Sequence, residues 1–228
     1  MKSTLARRLK QHLKRRLYKN AGLIITRPMQ YLGRERLLYP SGDYIRESSL
    51  ELVAEEIYAH NVSGSVSELG VYRGDFAACI NTAFNERKFY MFDTFEGFNE
   101  NDKPIEINNK FSLVAQDFTN TSVDLVLAKM RYPDNIIIRK GYFPSTLLDR
   151  DEGETFAFVS LDADLYKPTY EGLCFFYPRL SRGGYMFVHD YNNKHYAGVK
   201  AAVKQYCNEN ALSYFPLTDT CGTAVIAK

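Results

Sequence analysis

Short apolar runs alternate with helical patterns from residue 65 onwards, and this alternation constrains the fold more than any other feature of the sequence. Each run is too short for a helix and is bounded by turn residues, so each predicts a strand. Strands that alternate with helices form βαβ units, which give a mostly parallel sheet with helices on both faces. The predicted strands are 65–70, 88–93, 135–139, 156–162 and 185–190.

The intervals between these strands carry helical periodicity, and the chain ends in two further apolar runs. Thr121 or Ser122 is expected to cap one helix, and a Gly183–Gly184 turn is expected before the strand at 185. The final runs, 214–215 and 223–226, are expected to close the sheet as an antiparallel hairpin. The predicted helices are 49–58, 75–84, 123–130, 169–177 and 199–208. The pattern as a whole predicts an α/β, Rossmann-like domain.

Length and composition exclude several classes of protein. A chain of 228 residues has room for one domain with a short appendage. No apolar run approaches the roughly 20 residues that a membrane span requires. The four cysteines are widely spaced and form no CxxC pair, which excludes a zinc ribbon and a dense disulfide framework. Reduced thiols are typical of the cytoplasm, where we expect the protein.

The first 20 residues carry eight Lys or Arg and no Asp or Glu. Leu5, Leu9, Leu13 and Leu17 recur every four residues among these charges, which predicts an amphipathic helix with one Leu stripe. No long apolar stretch follows, so we do not expect the segment to be a signal peptide. The alternatives are a packing or dimerisation helix, which would make the protein a homo-oligomer, a contact with an anionic membrane surface, and disorder.

A Tyr-rich segment with turn signals joins this helix to the α/β domain. Residues 26–48 contain Tyr31, Tyr39 and Tyr44, with Pro40 and Gly42 between them, and we interpret the segment as a loop or lid. The appended segment is thus 1–47 and the domain is 48–228. The domain is slightly acidic, so nucleic acid is not expected as a partner.

In parallel sheets of this kind, ligands bind outside the carboxyl ends of the strands. The first strand is followed by an E-x-G-x-x-x-G spacing, which lets the backbone turn tightly and approach a ligand. It is not the G-x-G-x-x-G of a dinucleotide site, and a carboxylate there suits the ammonium of an amino-acid tail. The alternative is a purely structural turn. The candidate cofactor contacts are Glu68, Gly70, Tyr72, Arg73 and Gly74.

Asp93 ends the second predicted strand, where an acidic side chain can accept hydrogen bonds from both ribose hydroxyls of a nucleoside. The interval between the first loop and Asp93 is the one expected of a nucleoside-binding βαβ unit. The alternative is an acidic turn residue that caps the next helix.

Acidic side chains also follow the fourth and fifth strands. Asp162 and Asp164 bracket Ala163, and alternation along an extended strand would point both carboxylates the same way. Two carboxylates at one place repel unless a cation or a proton relieves them. Because His189 and Asp190 end the neighbouring strand, we expect Asp162, His189 and Asp190 to bind a divalent ion such as Mg²⁺. The alternative is a set of exposed loop acids.

Several blocks along residues 48 to 228 together resemble the macrocin O-methyltransferase (TylF/MycF-like) family, and they occur in the family's order. They are 67–75, 92–98 (FDTFEGF), 140–147 (KGYFPSTL), 161–169 (LDADLYKPT) and 177–191. The resemblance implies a class I methyltransferase fold with a seven-stranded sheet. It also implies Mg²⁺-dependent transfer of a methyl group from S-adenosylmethionine (AdoMet) to a hydroxyl of a small-molecule sugar substrate.

The resemblance assigns roles at the acidic strand ends. It implies that Asp162 and the pair His189 and Asp190 bind the metal, that Asp162 also borders the cofactor, and that Asp164 is the catalytic base. Ala163 stands where the family has Gly, a mild departure. His189 replaces an Asp, and histidine is a poorer ligand for hard Mg²⁺ than carboxylate. Metal affinity is therefore expected to be reduced, shifted to a softer ion, or lost.

A methyltransferase of this kind must hold the acceptor oxygen in line with the methyl group and assist its deprotonation. The Tyr-rich segment, with Phe95 and Phe98, is expected to cover the substrate. The rival enzyme is a metal-dependent nucleotide-sugar glycosyltransferase that uses Asp162 and Asp164. A nicotinamide dehydrogenase is disfavoured by the missing third glycine, and a non-enzymatic binding module is a further alternative. The acceptor candidates are a surface polysaccharide, a glycosylated natural product and a nucleotide-linked sugar.

Overall fold

The structure is a computed structural model that describes residues 2–23, 43–151 and 153–228, with side chains from Lys10 onwards except that of Arg150. The chain divides into two compact units, Met1–Arg36 and Leu37–Lys228. In the first, α1 spans Lys2–Ala21, as the Leu periodicity predicts. Parts of two predictions lie outside the described residues: the side chains of Leu5 and Leu9, and the lid residues Tyr31, Tyr39, Pro40 and Gly42.

The second unit contains a seven-stranded sheet with the order β3-β2-β1-β4-β5-β7-β6. The first five strands are parallel, and β7 pairs antiparallel with both β5 and β6, which confirms the C-terminal hairpin. The strands are β1 (Ser65–Leu69), β2 (Phe89–Asp93), β3 (Ile136–Lys140), β4 (Phe156–Leu161), β5 (Leu180–Val188), β6 (Phe215–Pro216) and β7 (Ala224–Ala227).

Helices cover both faces of the sheet, and each face has its own apolar core. One core packs α6 and α7 against the sheet and contains the stacked and edge-on rings of Phe92, Phe143, Phe156 and Phe176. The other lies under α2 and α3. β1 and β4 are buried along their whole length, as expected for central strands of a parallel sheet. The helices are α2 (Tyr44–Ala59), α3 (Asp75–Ala83), α4 (Lys103–Asn108), α5 (Val123–Leu127), α6 (Tyr166–Arg179) and α7 (Ala197–Glu209).

Two helices differ from the prediction in ways that matter for the site. Helix α2 begins at Tyr44 rather than Ser49, because Asp43 caps it by accepting a hydrogen bond from the Arg46 amide. The end of the predicted lid is therefore helical. The short helix α4 was not predicted, whereas α5 begins after the expected cap, Ser122.

β5 starts five residues earlier than predicted, so Gly183 and Gly184 lie inside the strand rather than in a turn before it. The register explains the difference: Phe156 pairs with Leu180 and Phe158 with Tyr185, so several β5 residues bulge opposite a single β4 residue. Gly183 has a left-handed φ of 82°, and a Cβ on Gly184 would lie 2.8 Å from the carbonyl oxygen of Ala157. Only glycine fits this bulge.

All four cysteines are free thiols, as predicted. Among the residues that the structure describes, no helix is both long enough and apolar enough to cross a lipid bilayer.

Candidate active site

The loop after β1 passes directly beneath the loop after β4. Gly70 has a left-handed φ of 85°, and a Cβ at this position would lie only 2.0 Å from the carbonyl oxygen of Asp162. Gly74, with a φ of 79°, is the N-cap of α3, which begins at Asp75. The E-x-G-x-x-x-G spacing therefore marks a close backbone crossing at the carboxyl edge of the sheet, which a side chain would block.

Asp93 holds this loop against the end of β2. One carboxylate oxygen, Oδ2, accepts hydrogen bonds from the amides of Val71 and Tyr72 at 2.7 and 2.8 Å, and Oδ1 accepts one from Phe95 at 2.6 Å. The carboxylate still borders a cavity. Sequence reasoning placed Asp93 at the site but did not predict that it anchors the first loop, and its contact with a ribose stays a prediction.

Asp162, Asp164, His189 and Asp190 come together beyond the ends of β4 and β5. The Nδ1 atom of His189 lies 2.9 Å from Asp162 Oδ1 and 3.2 Å from Asp190 Oδ2. Oxygens of Asp162, Asp164 and Asp190 lie within 4.8 Å of one another. The four side chains are therefore neighbours, as their positions at the strand ends predicted, and their roles stay predictions.

The reason for the cluster differs from the one predicted. Asp164 does not share a face with Asp162 through strand alternation, because β4 ends at Leu161 and Asp164 has a left-handed φ of 59°. Asp190 has the same φ, and Tyr72 in the first loop has a φ of 48°. Non-glycine residues adopt this conformation at a cost that surrounding structure must offset, and such residues are concentrated at functional sites.

The cluster separates the acidities of its members. Burial would raise the pKa of Asp162, but the neighbouring His189 and Arg46 outweigh it and hold that pKa below its usual range. Burial, with the charges of Asp190 and Asp162, raises the pKa of Asp164 well above its usual range. One carboxylate is thus kept ionised and the other is a strong proton acceptor.

The acidities of His189 and Asp190 follow from the same contacts. Burial would lower the pKa of His189, but Asp162 and a hydrogen bond with Asp190 raise it to about 10. Burial opposes ionisation of Asp190 as well, yet its hydrogen bond with His189 lowers its pKa. The imidazole is therefore a cation between two carboxylates in the structure as it stands.

Arg46, which sequence reasoning missed, supplies the second cation. Its guanidinium donates to Asp162 Oδ2 at 3.0 Å and to Ser160 Oγ at 3.3 Å, and it stacks over the Phe76 ring at 3.7 Å. The side chain is buried, although the segment seemed to be a loop. The signal that could have found it is the N-cap Asp43, which moves the start of α2 forward and places Arg46 on its first turn.

Glu68 lies beside Arg46 at the floor of the site and is buried. Its Oε1 accepts a hydrogen bond from Ser160 Oγ at 3.3 Å, whereas Oε2 has no hydrogen-bond partner among the described residues. Burial raises the pKa of Glu68 well above its usual range, and Arg46 partly opposes the shift. A buried carboxylate oxygen without a partner is costly unless a ligand completes it.

Asp219, on the loop between β6 and β7, is a second residue that sequence reasoning missed. It is fixed by two hydrogen bonds from Thr223, and its Oδ2 lies 3.9 Å from His189 Nε2. The adjacent Thr220 amide donates to Asp43 at 3.0 Å, which ties the start of α2 to this loop.

Two cavities meet at this edge of the sheet. The first, about 660 Å³, is mostly apolar and lies over the ends of β2 and β4, between Phe98, Phe118 and Phe143. The second, about 1140 Å³, is lined mostly by charged and polar residues and contains Glu68 and the acidic cluster. The residues that line both are Gly70, Tyr72, Phe118, Asp162 and Asp164.

Of the other residues predicted for the site, two line a cavity and one does not. Arg73 borders the polar cavity with an exposed side chain. Phe98 lines the apolar cavity, and its covering of the substrate stays a prediction; Phe95 is instead buried in the core under α2 and α3 and lines neither cavity. Phe118 takes that place: its ring meets Tyr72 and Phe98 edge-on at 5.0 and 4.9 Å.

The chemistry of the donor set fits a hard divalent cation. Three carboxylates lie within 4.8 Å of one another, and their mutual repulsion contributes to the raised pKa of Asp164. A hard divalent cation would relieve this repulsion. His189 shares other close groups, one with Asp190 and Cys221 and one with Asp43 and Asp219. The group that suits a hard cation thus contains three carboxylates, whereas the predicted ligand set contained two carboxylates and His189.

Comparison with solved structures gives the class of protein. The structure of the O-methyltransferase NovP matches with a TM-score of 0.65 at 23% identity, over 81% of this chain and 80% of NovP. The calicheamicin methyltransferase CalS11 matches with a TM-score of 0.63 at 18% identity, over 80% and 78% of the two chains. The domain has the Rossmann-like class I methyltransferase fold, as predicted.

The family follows from the sequence match. The model of the macrocin O-methyltransferase (TylF) family matches residues 42–227. The chain belongs to this family and is an AdoMet-dependent O-methyltransferase.

Two curated relatives are named for the compounds that they methylate. Demethyldecarbamoylnovobiocin O-methyltransferase of Streptomyces niveus is 28% identical over 167 residues, 64% of this chain and 60% of that enzyme. Mycinamicin III 3''-O-methyltransferase of Micromonospora griseorubida is 29% identical over 181 residues, 74% and 70% of the two chains. The chain thus spans less than two thirds of the novobiocin enzyme's length.

Proposed function

We propose that this methyltransferase transfers the methyl group of AdoMet to a hydroxyl of a sugar carried by a small molecule. The observation that carries the proposal is the meeting of an apolar cavity and a carboxylate-rich cavity at Asp164. Relatives act on mycinamicin III and on a rhamnosyl-tetracenomycin, the latter through an enzyme of Streptomyces olivaceus 27% identical to this chain.

The cofactor would span the two cavities. The apolar cavity suits the adenine ring, which stacks on aromatic and apolar side chains. Asp93, at its rim, would accept hydrogen bonds from the ribose. The amino-acid tail would pass the loop with Gly70, Tyr72, Arg73 and Gly74.

Glu68 supports this orientation. Its Oε2 is buried and has no partner among the described residues, so an ammonium group would supply the missing hydrogen bond. Among the described residues, no contact of this oxygen offsets the free-energy cost of burying it. The close crossing of Gly70 and Asp162 would hold the tail and the acceptor site together.

Asp164 would be the general base. Burial and the charges of Asp190 and Asp162 raise its pKa well above the usual range, which makes the ionised carboxylate a better proton acceptor than an ordinary one. In the transfer, the acceptor oxygen forms a bond to the methyl carbon as the carbon–sulfur bond breaks. The hydroxyl proton moves to Asp164, and the sulfur keeps the electron pair as the sulfonium becomes a neutral thioether.

A Mg²⁺ or similar ion would be held by Asp162 and Asp190, with Asp164 or His189 beside them. When bound, such an ion lowers the free energy of an alkoxide and orients neighbouring hydroxyls. His189 and Arg46 already offset part of the negative charge of Asp162. This chain therefore needs the ion less than an all-carboxylate site would.

A third cavity, about 940 Å³, adjoins the acidic cluster through Gln116 and Tyr196, which line both. Exposed apolar side chains border it, including Leu113, which is 86% exposed. Exposed apolar groups at a cavity favour a ligand that covers them. We propose that the part of the acceptor that does not react lies here.

The cytoplasmic location is likewise a proposal, supported by the free thiols, whereas the homo-oligomeric state stays a prediction from the sequence alone.

The test is a panel of acceptors with AdoMet, scored by mass spectrometry for a methyl addition, with and without Mg²⁺ and chelator. We expect methylated glycosides or nucleotide-linked sugars, and AdoMet binding measurable by calorimetry. Tight binding of a nucleotide sugar with no binding of AdoMet would instead indicate the glycosyltransferase alternative. Binding of AdoMet without any product across the panel would count against the sugar acceptor.

A further inference from the structure

Helix α1 presents apolar side chains that the described residues do not cover. On the Leu stripe, Leu13 is 58% exposed, and Leu23, just beyond the end of the helix, is 55% exposed. The helix belongs to a unit separate from the catalytic domain. An amphipathic helix of 20 residues gains most of its stability by burying its apolar face. The face of α1 therefore needs a partner.

The rest of the helix is strongly basic. The Leu positions at 5, 9, 13 and 17 span a sector of about 120° on a helical wheel. Six of the eight Lys and Arg residues of the first 20 residues fall outside that sector. The first 20 residues contain no acidic residue. The partner must therefore be negatively charged and must also accept apolar side chains.

Two other partners fit these observations less well. A second copy of α1 would bury the Leu stripe, but it would bring two basic helices together without a single acidic residue for complementary pairs. Nucleic acid would satisfy the charges, but it offers no apolar layer for Leu13 and Leu17. A membrane with anionic lipids supplies both the charge and the apolar layer.

We propose that α1 binds an anionic membrane surface and lies in the plane of the interface, with its Leu stripe below the headgroups and its basic residues among them. Each Lys or Arg near such a surface strengthens binding by about fivefold. The catalytic domain would then work beside a membrane. This inference does not depend on the identity of the acceptor.

The test uses the full chain and vesicles of phosphatidylcholine, alone or mixed with phosphatidylglycerol, in a flotation assay. We expect binding to the mixed vesicles, weak binding to the neutral ones, and loss of binding as salt is raised. The decisive variants are Leu13→Glu and Gln11→Glu, which change the net charge equally. Gln11 lies on the basic side of the wheel and is exposed.

If the Leu stripe inserts, Leu13→Glu should weaken vesicle binding at least about tenfold more than Gln11→Glu, because it also removes a buried Leu. Both variants should keep the melting temperature and the methyl transfer of the wild type, since position 13 lies outside the family match at 42–227. Equal losses in the two variants, with binding to duplex DNA retained, would overturn the proposal in favour of nucleic acid. A dimer that Leu13→Glu dissociates, with no vesicle binding, would overturn it in favour of self-association.

Discussion

At the scale of single residues, the site is a set of charges that balance one another across distant parts of the chain. Arg46 and Asp162 are 116 positions apart in sequence yet lie 3.0 Å apart. One ionised carboxylate is held between two cations, while burial and the charges of Asp190 and Asp162 raise the pKa of its neighbour Asp164. The difference between the two acids arises from their neighbours rather than from their type.

Replacing Arg46 by Met should destabilise the domain, because Asp162 would keep only His189 as a cationic partner. We expect the free energy of unfolding to fall by about 2 kcal/mol, below the range for fully buried pairs since Asp162 is 21% exposed. Arg46→Lys, which keeps the charge but not the forked geometry, should lose less. Urea unfolding of both variants measures this, and equal stability of Arg46→Met and the wild type would contradict it.

The raised pKa of His189 predicts a pH dependence of stability. A group whose folded pKa is above its unfolded value contributes stability below the unfolded pKa, and loses it as pH rises through the folded pKa. For His189 that window runs from 6.5 to about 10. The stability difference between the wild type and His189→Asn, measured by urea unfolding without divalent ions, should therefore shrink across this window. A difference that grows with pH would contradict the ion pairs described above.

At the scale of secondary-structure elements, the sequence predicts the bounds of an element where the local residue pattern sets them. It does not predict bounds that are set by tertiary contacts. β1 to β4 lie within one residue of the predicted bounds, because their apolar runs end sharply at the sheet edge. The start of β5 was missed since the bulge opposite Ala157 has no signal other than two glycines. α4, only six residues long, carries too little periodicity to predict.

The same distinction explains the candidate site. Parallel strands end at one edge, so Asp162, Asp164, His189 and Asp190 could be placed together from their positions alone. Arg46 and Asp219 reach the cluster from a helix and a hairpin loop whose approach depends on packing. No local pattern encodes that approach.

Gly70 is the position where element geometry should be least tolerant of change. Gly70→Ala places a methyl group 2.0 Å from the carbonyl oxygen of Asp162, in a left-handed backbone conformation. We expect a loss of more than about 2 kcal/mol in stability, or weakened AdoMet binding if the loops separate instead. Gly153→Ala is the matched control, since a Cβ there meets nothing within 4 Å. Thermal unfolding and calorimetry with AdoMet measure the two effects. Equal stability and equal AdoMet binding of the two variants would refute the close crossing.

At the scale of the whole molecule, basic and acidic residues are distributed unevenly along the chain. The first 20 residues hold eight basic residues and no acidic ones, whereas the rest holds the other 21 basic and all 27 acidic residues. The catalytic domain follows the family pattern over 42–227, and α1 lies outside it. The domain therefore accounts for the chemistry, whereas the role proposed for α1 is to hold the chain at a membrane.

The central claim is that AdoMet and the acceptor meet at Asp164, and the turnover number of Asp164→Asn tests it most directly. The measurement is methyl transfer under saturating AdoMet, with Asp134→Asn as control, because Asp134 is exposed beside the amino end of β3, at the opposite edge of the sheet. We predict that Asp164→Asn loses about 10²- to 10⁴-fold in turnover while its affinity for AdoMet is retained, and that Asp134→Asn matches the wild type. Full turnover in Asp164→Asn would contradict the account.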